Sequence, residues 1–348
     1  MKIPVGILGA TGAVGQRFVQ LLADHPWFEV AELAASDRSA GRPYREACTW
    51  RLAGAPSDAV ADIRVATCEG PFRAKVLFSG LDSSVAGEVE AGLAGQGYAV
   101  VSNARNHRMD PDVPLLIPEV NPDHLDALDA QRRRTGGGYI VTNPNCSVVG
   151  LAMALAPLHR AFGLREVAVA TLQALSGAGY PGVASMDATD NVVPYIGGGE
   201  EEKIEAEPRR ILGRFDGRGF VPAAFAISAA VHRVPVSDGH TMAIFVRLER
   251  KTSAADAARA LAEFRGEPQE RRLPSAPRRP IHVLDAPDRP QPRLDRDREG
   301  GMAVSVGRVR EDRTFDLKLE ALVHNTIRGA AGAAILNAEL LKARDLLP

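Results

Sequence analysis

Apolar and polar positions along this chain follow two rhythms. Through the first third, short apolar runs alternate with segments of helical period. Ile3–Leu8 reads as a buried strand, and Gly12–Asp24 as a helix carrying Val14, Phe18, Leu21 and Leu22 on one face. Val30–Ala35, Val76–Ser79, Ala99–Ser102 and Tyr139–Thr142 supply further strands. Strands separated by helices predict parallel βαβ units in a doubly wound sheet ending near residue 145.

A helix over Ser147–Ala161 follows, and then the rhythm changes. Longer alternating stretches (Glu166–Ala174, Phe225–Val234, His240–Glu249, Met302–Arg310 and Thr314–Val323) have few helices between the last pairs. Alternation without crossover helices predicts an antiparallel sheet. Helices are expected over Glu200–Leu212 and Ser253–Phe264. A last amphipathic segment, Arg328–Leu347, is expected to return to the first unit. The fold class is therefore α/β: an N-terminal doubly wound parallel, Rossmann-type sheet, then an α+β unit with a mostly antiparallel sheet. The division falls at 1–146, joined by a C-terminal helix over 326–348, and 147–325. Between Gly266 and Gly301 stand seven prolines among many Arg and Asp residues. Composition favours a disordered linker there, but Ile281-His282-Val283-Leu284 reads as a short strand. An ordered surface excursion at a subunit contact is expected.

Composition narrows the class without naming it. At ~150 residues per domain, 348 residues suggest two domains. Hydrophobic residues make up 45% and charged residues 24%, which excludes a disordered or fibrous chain. With 42 basic against 43 acidic residues no global field exists to hold nucleic acid, so any anion site must be local. Cys48, Cys68 and Cys146 are odd in number and too scattered for a metal-binding C-x-x-C, so no metal is expected and reduced thiols in the cytoplasm fit. No apolar run approaches the ~18 residues of a membrane span. Glycines interrupt any secretory apolar core near Met1.

Two segments carry chemistry. Gly9-Ala10-Thr11-Gly12-Ala13-Val14-Gly15 follows a strand and opens a helix. Glycines there let backbone N–H groups approach a pyrophosphate at the positive helix end, so Gly9, Thr11, Gly12, Ala13 and Val14 are expected to hold a dinucleotide. After the second strand stand Ser36-Asp37-Arg38-Ser39. Asp37 is compatible with the free ribose of NAD, whereas Arg38 between Ser36 and Ser39 suits the 2′-phosphate of NADP, the favoured cofactor. The second segment is Thr142-Asn143-Pro144-Asn145-Cys146-Ser147, which closes a strand and begins a helix. A thiol at a helix start feels the dipole, which should lower its pKa and favour the thiolate nucleophile. Cys48 and Cys68 read as buried fillers.

At these residues the chain resembles the aspartate-semialdehyde dehydrogenase family, in wording closest to its archaeal and fungal branch, over nearly its whole length. The resemblance also rests on Ser102–Met109 (SNARNHRM), Gln173–Gly179 (QALSGAG), Glu200–Lys203 (EEEK), Arg233 through His240, and Asn325–Gly332 (NTIRGAAG). It implies Cys146 as acyl-forming nucleophile, His240 as acid/base, and Gln173 orienting the acyl group. It also implies Arg233 gripping a substrate carboxylate, Glu200 facing its amino group, and Arg105 with Lys203 binding phosphate. Ser176, Gly177 and Asn325 would approach the nicotinamide. The backbone N–H of Cys146, with the Asn145 amide, would hold the oxyanion. The second unit becomes a catalytic and dimerisation domain, and the protein a homodimer or homotetramer in the cytoplasm.

The implied reaction is NADPH-dependent reductive dephosphorylation of L-aspartyl 4-phosphate to the semialdehyde, in the biosynthesis of lysine, threonine, methionine and isoleucine. The chemistry of the residues agrees. An acyl phosphate needs a soft nucleophile and local cations, and an Arg fork holds a carboxylate through two bonds. Malonyl-CoA or N-acetylglutamyl-phosphate reductases share this chemistry, and a catalytically silent NADP-binding regulator would share the fold. Without the resemblance, Arg105 reads as part of a solvated loop, Glu200 and Lys203 as a surface pair, and His240 as a turn cap; His107, His232 and His324 read as structural.

Overall fold

Five parallel strands form the first sheet of the computed structural model, which describes all 348 residues. They are β1 (Ile3–Leu8), β2 (Phe28–Ala34), β3 (Val76–Ser79), β4 (Ala99–Ser102) and β5 (Tyr139–Thr142), in spatial order β2-β1-β3-β4-β5. Every residue of β3, β4 and β5 is buried. That is why these strands appear in the sequence as apolar runs closed by a single hydroxyl residue: helices cover both faces of a parallel sheet. Helix α1 (Ala13–Leu22) follows β1 at the expected turn. Gly9 there has φ +72°, and a Cβ on it would stand 2.8 Å from the Gly80 carbonyl oxygen. A side chain is excluded by both conformation and space.

Helix α2 (Cys146–Phe162) starts four residues after β5 ends and is buried from Ser147 to Leu158. It lies on the inner face of a seven-stranded sheet, against Val167 and Val169, Met242, Ile244 and Val246, and Leu319 and Ala321. That sheet contains β6 (Leu164–Gln173), β7 (Val193–Pro194), β8 (Ala226–Arg233), β9 (His240–Leu248), β10 (Ile281–Leu284), β11 (Val304–Glu311) and β12 (Leu317–Val323), ordered β10-β11-β12-β9-β6-β8-β7. Four of its pairings are antiparallel, as expected. β6 with β8 and β10 with β11 are parallel. The first of these is possible because helix α3 (Glu200–Ile211) lies in the long connection between the two strands. On the outer face Ala168, Ala170, Thr241, Ala243 and Phe245 are half-buried and Leu172 is exposed.

One expectation holds and one changes. The stretch from Gly266 to Gly301 is ordered, as expected, and not the linker that its composition favours: β10 pairs along its edge, Leu273 enters the first core, and the Glu339 carboxylate accepts the Ser275 N–H at 3.0 Å. The last segment is not amphipathic. It begins as a π-helical turn, Ile327–Ala331, and continues as α4 (Gly332–Ala343), in which every residue from Gly332 to Leu341 is buried. Its alanines and glycines let neighbours approach on all sides, and Ile335, Leu336, Leu340 and Leu341 join the core built on Phe18, Phe28 and Val76. Polar positions that suggested an exposed face find partners inside: Asn337 Nδ2 donates to Asn143 Oδ1 at 2.6 Å, although Asn337 Oδ1 is left without one, and Glu339 meets His25 at 2.7 Å. No helix is long and apolar enough to cross a membrane.

Candidate active site

The C-terminal ends of the parallel strands, the start of α2 and one end of the seven-stranded sheet meet in a single place. Cys146 is the first residue of α2, and Asn145 before it caps the helix, its Oδ1 accepting the Ser147 N–H at 2.9 Å. His240 opens β9, is fully buried, and brings Nε2 to 3.2 Å from Cys146 Sγ. Its Nδ1 accepts the backbone N–H of Ala174 at 3.0 Å. Ala174 is held from its other side by Arg233, whose Nη1 donates to the Ala174 carbonyl at 2.6 Å.

The electrostatics reverse one expectation. Burial pushes the Cys146 thiol up to about 12, and Glu200 adds to the rise; Arg108, Arg233 and the Ser147 N–H oppose it without prevailing. The helix-end field is a partial charge, whereas taking a thiolate out of water is a full desolvation cost. His240 moves the other way, to about 3, through burial and then the nearby Arg233 charge. At neutral pH the two groups therefore face each other uncharged.

Glu200, the first residue of α3, collects the polar groups around the thiol. Its Oε1 accepts Asn145 Nδ2 at 2.8 Å and Gln173 Nε2 at 3.2 Å, while Oε2 pairs with Lys203 at 3.2 Å. The Asn145 amide is thus engaged with Glu200. Beneath, buried Glu207 accepts the Asn145 backbone N–H at 2.6 Å and Arg108 Nη1 at 2.9 Å. Asn325 is buried between Gly239, whose N–H it accepts, and Ser176, to whose Oγ it donates at 2.8 Å.

Two cavities meet here. One of about 280 Å³ is lined by Cys146, Asn145, Arg108, Ser176, Gly177 and Asn325, among others. The second, about 710 Å³, runs along Gly9, Thr11 and Gly12 to Ser36. Both share Ala13, Val14 and Gly179 as walls. Arg38 and Ser39 lie outside the lining of the larger cavity, with Arg38 exposed. Arg105 is exposed and donates to the Gly198 carbonyl at 3.0 Å; neither it nor Lys203 lines the Cys146 cavity.

Sequence reasoning passed over Arg108, Glu207, Arg51 and Tyr180. Arg108 stands three residues beyond Arg105 in the same motif, and only its burial separates the two. Arg51 stacks on Tyr180, 3.4 Å from the ring centroid, and both line the larger cavity from opposite halves of the chain. No local pattern marks that pair.

A partly exposed thiol paired with a buried imidazole at a helix start, reached from a glycine turn after the first strand of a Rossmann-type sheet, defines a thiol-dependent dehydrogenase. Comparison with known proteins agrees. Residues 4–128 match the family Semialdehyde dehydrogenase, NAD binding domain, and residues 155–328 the family Semialdehyde dehydrogenase, dimerisation domain. The chain is 52% identical over 344 residues to the aspartate-semialdehyde dehydrogenase of Methanothermobacter thermautotrophicus, covering 97% of this chain and 99% of that one. It is 48% identical to that of Schizosaccharomyces pombe, covering 99% of both. A crystal structure of aspartate semialdehyde dehydrogenase with NADP from Candida albicans superposes with a TM-score of 0.92 at 46% identity, covering all of both chains. The chain belongs to the aspartate-semialdehyde dehydrogenase family, with archaeal and fungal members among its similar relatives.

Proposed function

We propose that this protein is an NADP-dependent aspartate-semialdehyde dehydrogenase that reduces L-aspartyl 4-phosphate through a thioester on Cys146. The observation that carries the reading is the 3.2 Å contact of Cys146 Sγ with His240 Nε2 at the end of a cavity joined to the glycine turn. Full-length similarity supports aspartyl phosphate over malonyl-CoA or N-acetylglutamyl phosphate as substrate.

The residues present fit the cofactor. No side chain caps α1, so its first amides are left for a pyrophosphate, and the absent side chain of Gly9 keeps the turn close to Gly80. Thr11, Gly12, Ala13 and Val14 would hold the diphosphate and Ser36 the ribose, with Arg38 and Ser39 at the rim. Ser176, Gly177 and Asn325 would flank the nicotinamide. When bound, NADPH supplies the hydride that reduces the acyl group on sulfur.

Cys146 attacks the acyl carbon, and His240 governs the proton at sulfur. Gln173 and Asn145 orient the acyl group through their shared partner Glu200. Arg233 and Glu200 offer a cation for a carboxylate and an anion for an ammonium, together an α-amino-acid head. Arg108 is the cation inside the cavity for the departing phosphate, with Lys203 and Arg105 further out. Residues 1–146 with 326–348 form the cofactor-binding unit, and 147–325 the catalytic unit. The half-buried outer face of the seven-stranded sheet, with Ala168, Ala170, Ala243 and Phe245, supports pairing of two copies in a cytoplasmic homodimer or tetramer.

The test is to mix the protein with aspartyl phosphate, quench, and locate the acyl adduct by mass spectrometry. An adduct on Cys146, with NADPH oxidised by aspartyl phosphate and not by malonyl-CoA or N-acetylglutamyl phosphate, is expected. Adducts elsewhere, or faster turnover of a rival donor, would overturn the assignment.

A further inference from the structure

We infer that Arg296, in the proline- and arginine-rich stretch, is a positioning residue for the cofactor: it holds the turn Ser237–Gly239 and, through that turn, fixes which end of the Asn325 amide is offered to the cavity at Cys146. The inference rests on the proposed NADP-dependent reading and gives the stretch from Gly266 to Gly301 a part in it.

One carboxylate organises the middle of that stretch. Asp295 closes a one-turn helix, Pro292–Asp295, and is almost fully buried. It accepts Arg289 Nε at 2.6 Å, Arg298 Nε at 3.0 Å and the Gln291 backbone N–H at 2.8 Å, and Arg289 Nη2 donates to it as well. Both carboxylate oxygens are thus paired, by two guanidinium groups and a backbone amide, in charge-assisted bonds of well-defined geometry. Arg296 is the next residue, so Asp295 fixes the point from which its side chain starts.

From there Arg296 reaches across to the turn before β9. Its Nη1 donates to the Asp238 carbonyl at 3.0 Å and to Ser237 Oγ at 3.3 Å. Packing adds to these bonds. Gly239 completes the turn with φ +101°, and a Cβ on it would stand 3.2 Å from Pro292 Cβ and 3.4 Å from Arg296 Cβ. The turn's other bonds lead toward the cavity. The Gly239 N–H donates to Asn325 Oδ1 at 2.8 Å, the Ser237 carbonyl accepts the Ser176 N–H at 3.1 Å, and Asn325 Nδ2 donates to Ser176 Oγ at 2.8 Å. Ser176 and Asn325 both line the cavity that holds Cys146. His240, by contrast, has anchors of its own: the Ala174 backbone and pairing with Val323 across the sheet.

These bonds decide the direction of the Asn325 amide. A backbone N–H can only donate, so the atom facing Gly239 is the oxygen, and the NH2 end is turned to Ser176. Reversing the amide would set two donors against each other and leave a buried N–H unsatisfied. One Nδ2 hydrogen is engaged by Ser176 Oγ, and the other has no partner in the protein. The cavity is therefore offered an N–H donor, the complement of a carboxamide oxygen such as the nicotinamide ring carries. When the turn slackens, Gly239 no longer selects the oxygen and the amide is free to rotate. Arg17 of α1 secures the next residue, donating to Thr326 Oγ1 at 3.2 Å, so residues 325–326 are clamped between the helix after the glycine turn and the Arg296 stretch.

The experiment is a double-mutant cycle on NADPH affinity, titrated by fluorescence on the full-length protein without substrate. Arg296→Ala is expected to weaken binding about fivefold in the wild-type background and less than twofold in Asn325→Ala, where no amide is left to aim. Should Asn325→Ala not fold, Asn325→Asp, which keeps the acceptor for Gly239 and offers no N–H, takes its place. Arg296→Lys, which keeps a donor for the Asp238 carbonyl, should bind within twofold of the wild type. Equal losses in both backgrounds, or no loss in Arg296→Ala, would overturn the inference. A second measurement separates the two half-reactions. Acylation of Cys146 by aspartyl phosphate, followed by mass spectrometry without cofactor, should stay within threefold in Arg296→Ala, while reduction of the adduct by NADPH falls at least tenfold. Equal falls in both steps would make Arg296 a prop for the whole fold and overturn its positioning role. Failure to use aspartyl phosphate would instead refute the proposed function, and the binding cycle, which needs no substrate, would still decide the inference.

Discussion

Gly329 presses directly on Cys146: a Cβ added to it would stand 2.9 Å from the Cys146 Cβ and 3.0 Å from the Cys146 carbonyl oxygen. Gly329 belongs to the π-helical turn, and the preceding residue, Arg328, is fully buried and paired with Glu119 at 2.6 Å. Such turns recur where a backbone must be aimed at a functional group. Gly329→Ala is expected to displace the start of α2 and lower kcat by ten- to a hundredfold, since ~1 Å of misplacement can cost that much. Steady-state kinetics beside a melting curve checks this; a fall in melting temperature with unchanged kcat would show the contact to be packing alone.

Alkylation should report the raised thiol. Burial and Glu200 hold Cys146 protonated to about 12, and burial also raises Cys48 and Cys68. The rate of Cys146 modification by iodoacetamide should therefore climb by about tenfold per pH unit from 7 to 9, as a small thiolate fraction grows. A plateau below pH 8 would show a thiolate already formed in the free enzyme.

Acid should act through His240. Its folded-state value lies near 3, below the ordinary 6.5, so burial of the neutral ring contributes stability that is fully present above about pH 6.5. That contribution is lost as the pH falls toward 3, because the unfolded chain takes up the proton more readily. Urea unfolding midpoints between pH 7 and 4 should fall less steeply in His240→Gln than in the wild type. Parallel slopes would place the acid sensitivity in other groups.

Removing Glu207 should be severe for stability as well as turnover. Its carboxylate accepts both the Asn145 N–H and Arg108, and all three are buried. Glu207→Ala leaves a buried guanidinium without its partner, a loss of about 3–5 kcal/mol. Chemical denaturation measures it; a change below about 1 kcal/mol would mean that water replaces the carboxylate.

Cofactor affinity should depend on Arg51 more than on Arg38. Arg51 lines the larger cavity and stacks on Tyr180, whereas Arg38 is exposed outside its lining. Losing a charged contact to a phosphate typically costs about 1.5–3 kcal/mol, or roughly tenfold or more in affinity. Titration of NADPH by fluorescence should show that loss in Arg51→Ala and a smaller one in Arg38→Ala. The reverse order would place the 2′-phosphate at Ser36–Ser39.

Local chemistry determined much of this protein in the sequence alone. β3, β4 and β5 match the predicted segments residue for residue, because a strand covered on both faces reads as a mostly apolar run, here closed in each case by a buried hydroxyl residue. The glycine turn and the helix start at Cys146 were legible because conformation and capping depend on near neighbours. Tertiary structure decided the rest. The alanine-rich last helix is buried all round, since its neighbours come from distant parts of the chain. Arg105 and Arg108 share one motif, yet only Arg108 turns inward, drawn by Glu207 from another domain of the sequence. The Cys146 thiol is raised rather than lowered because desolvation is set by everything folded around an atom, which no window of sequence contains.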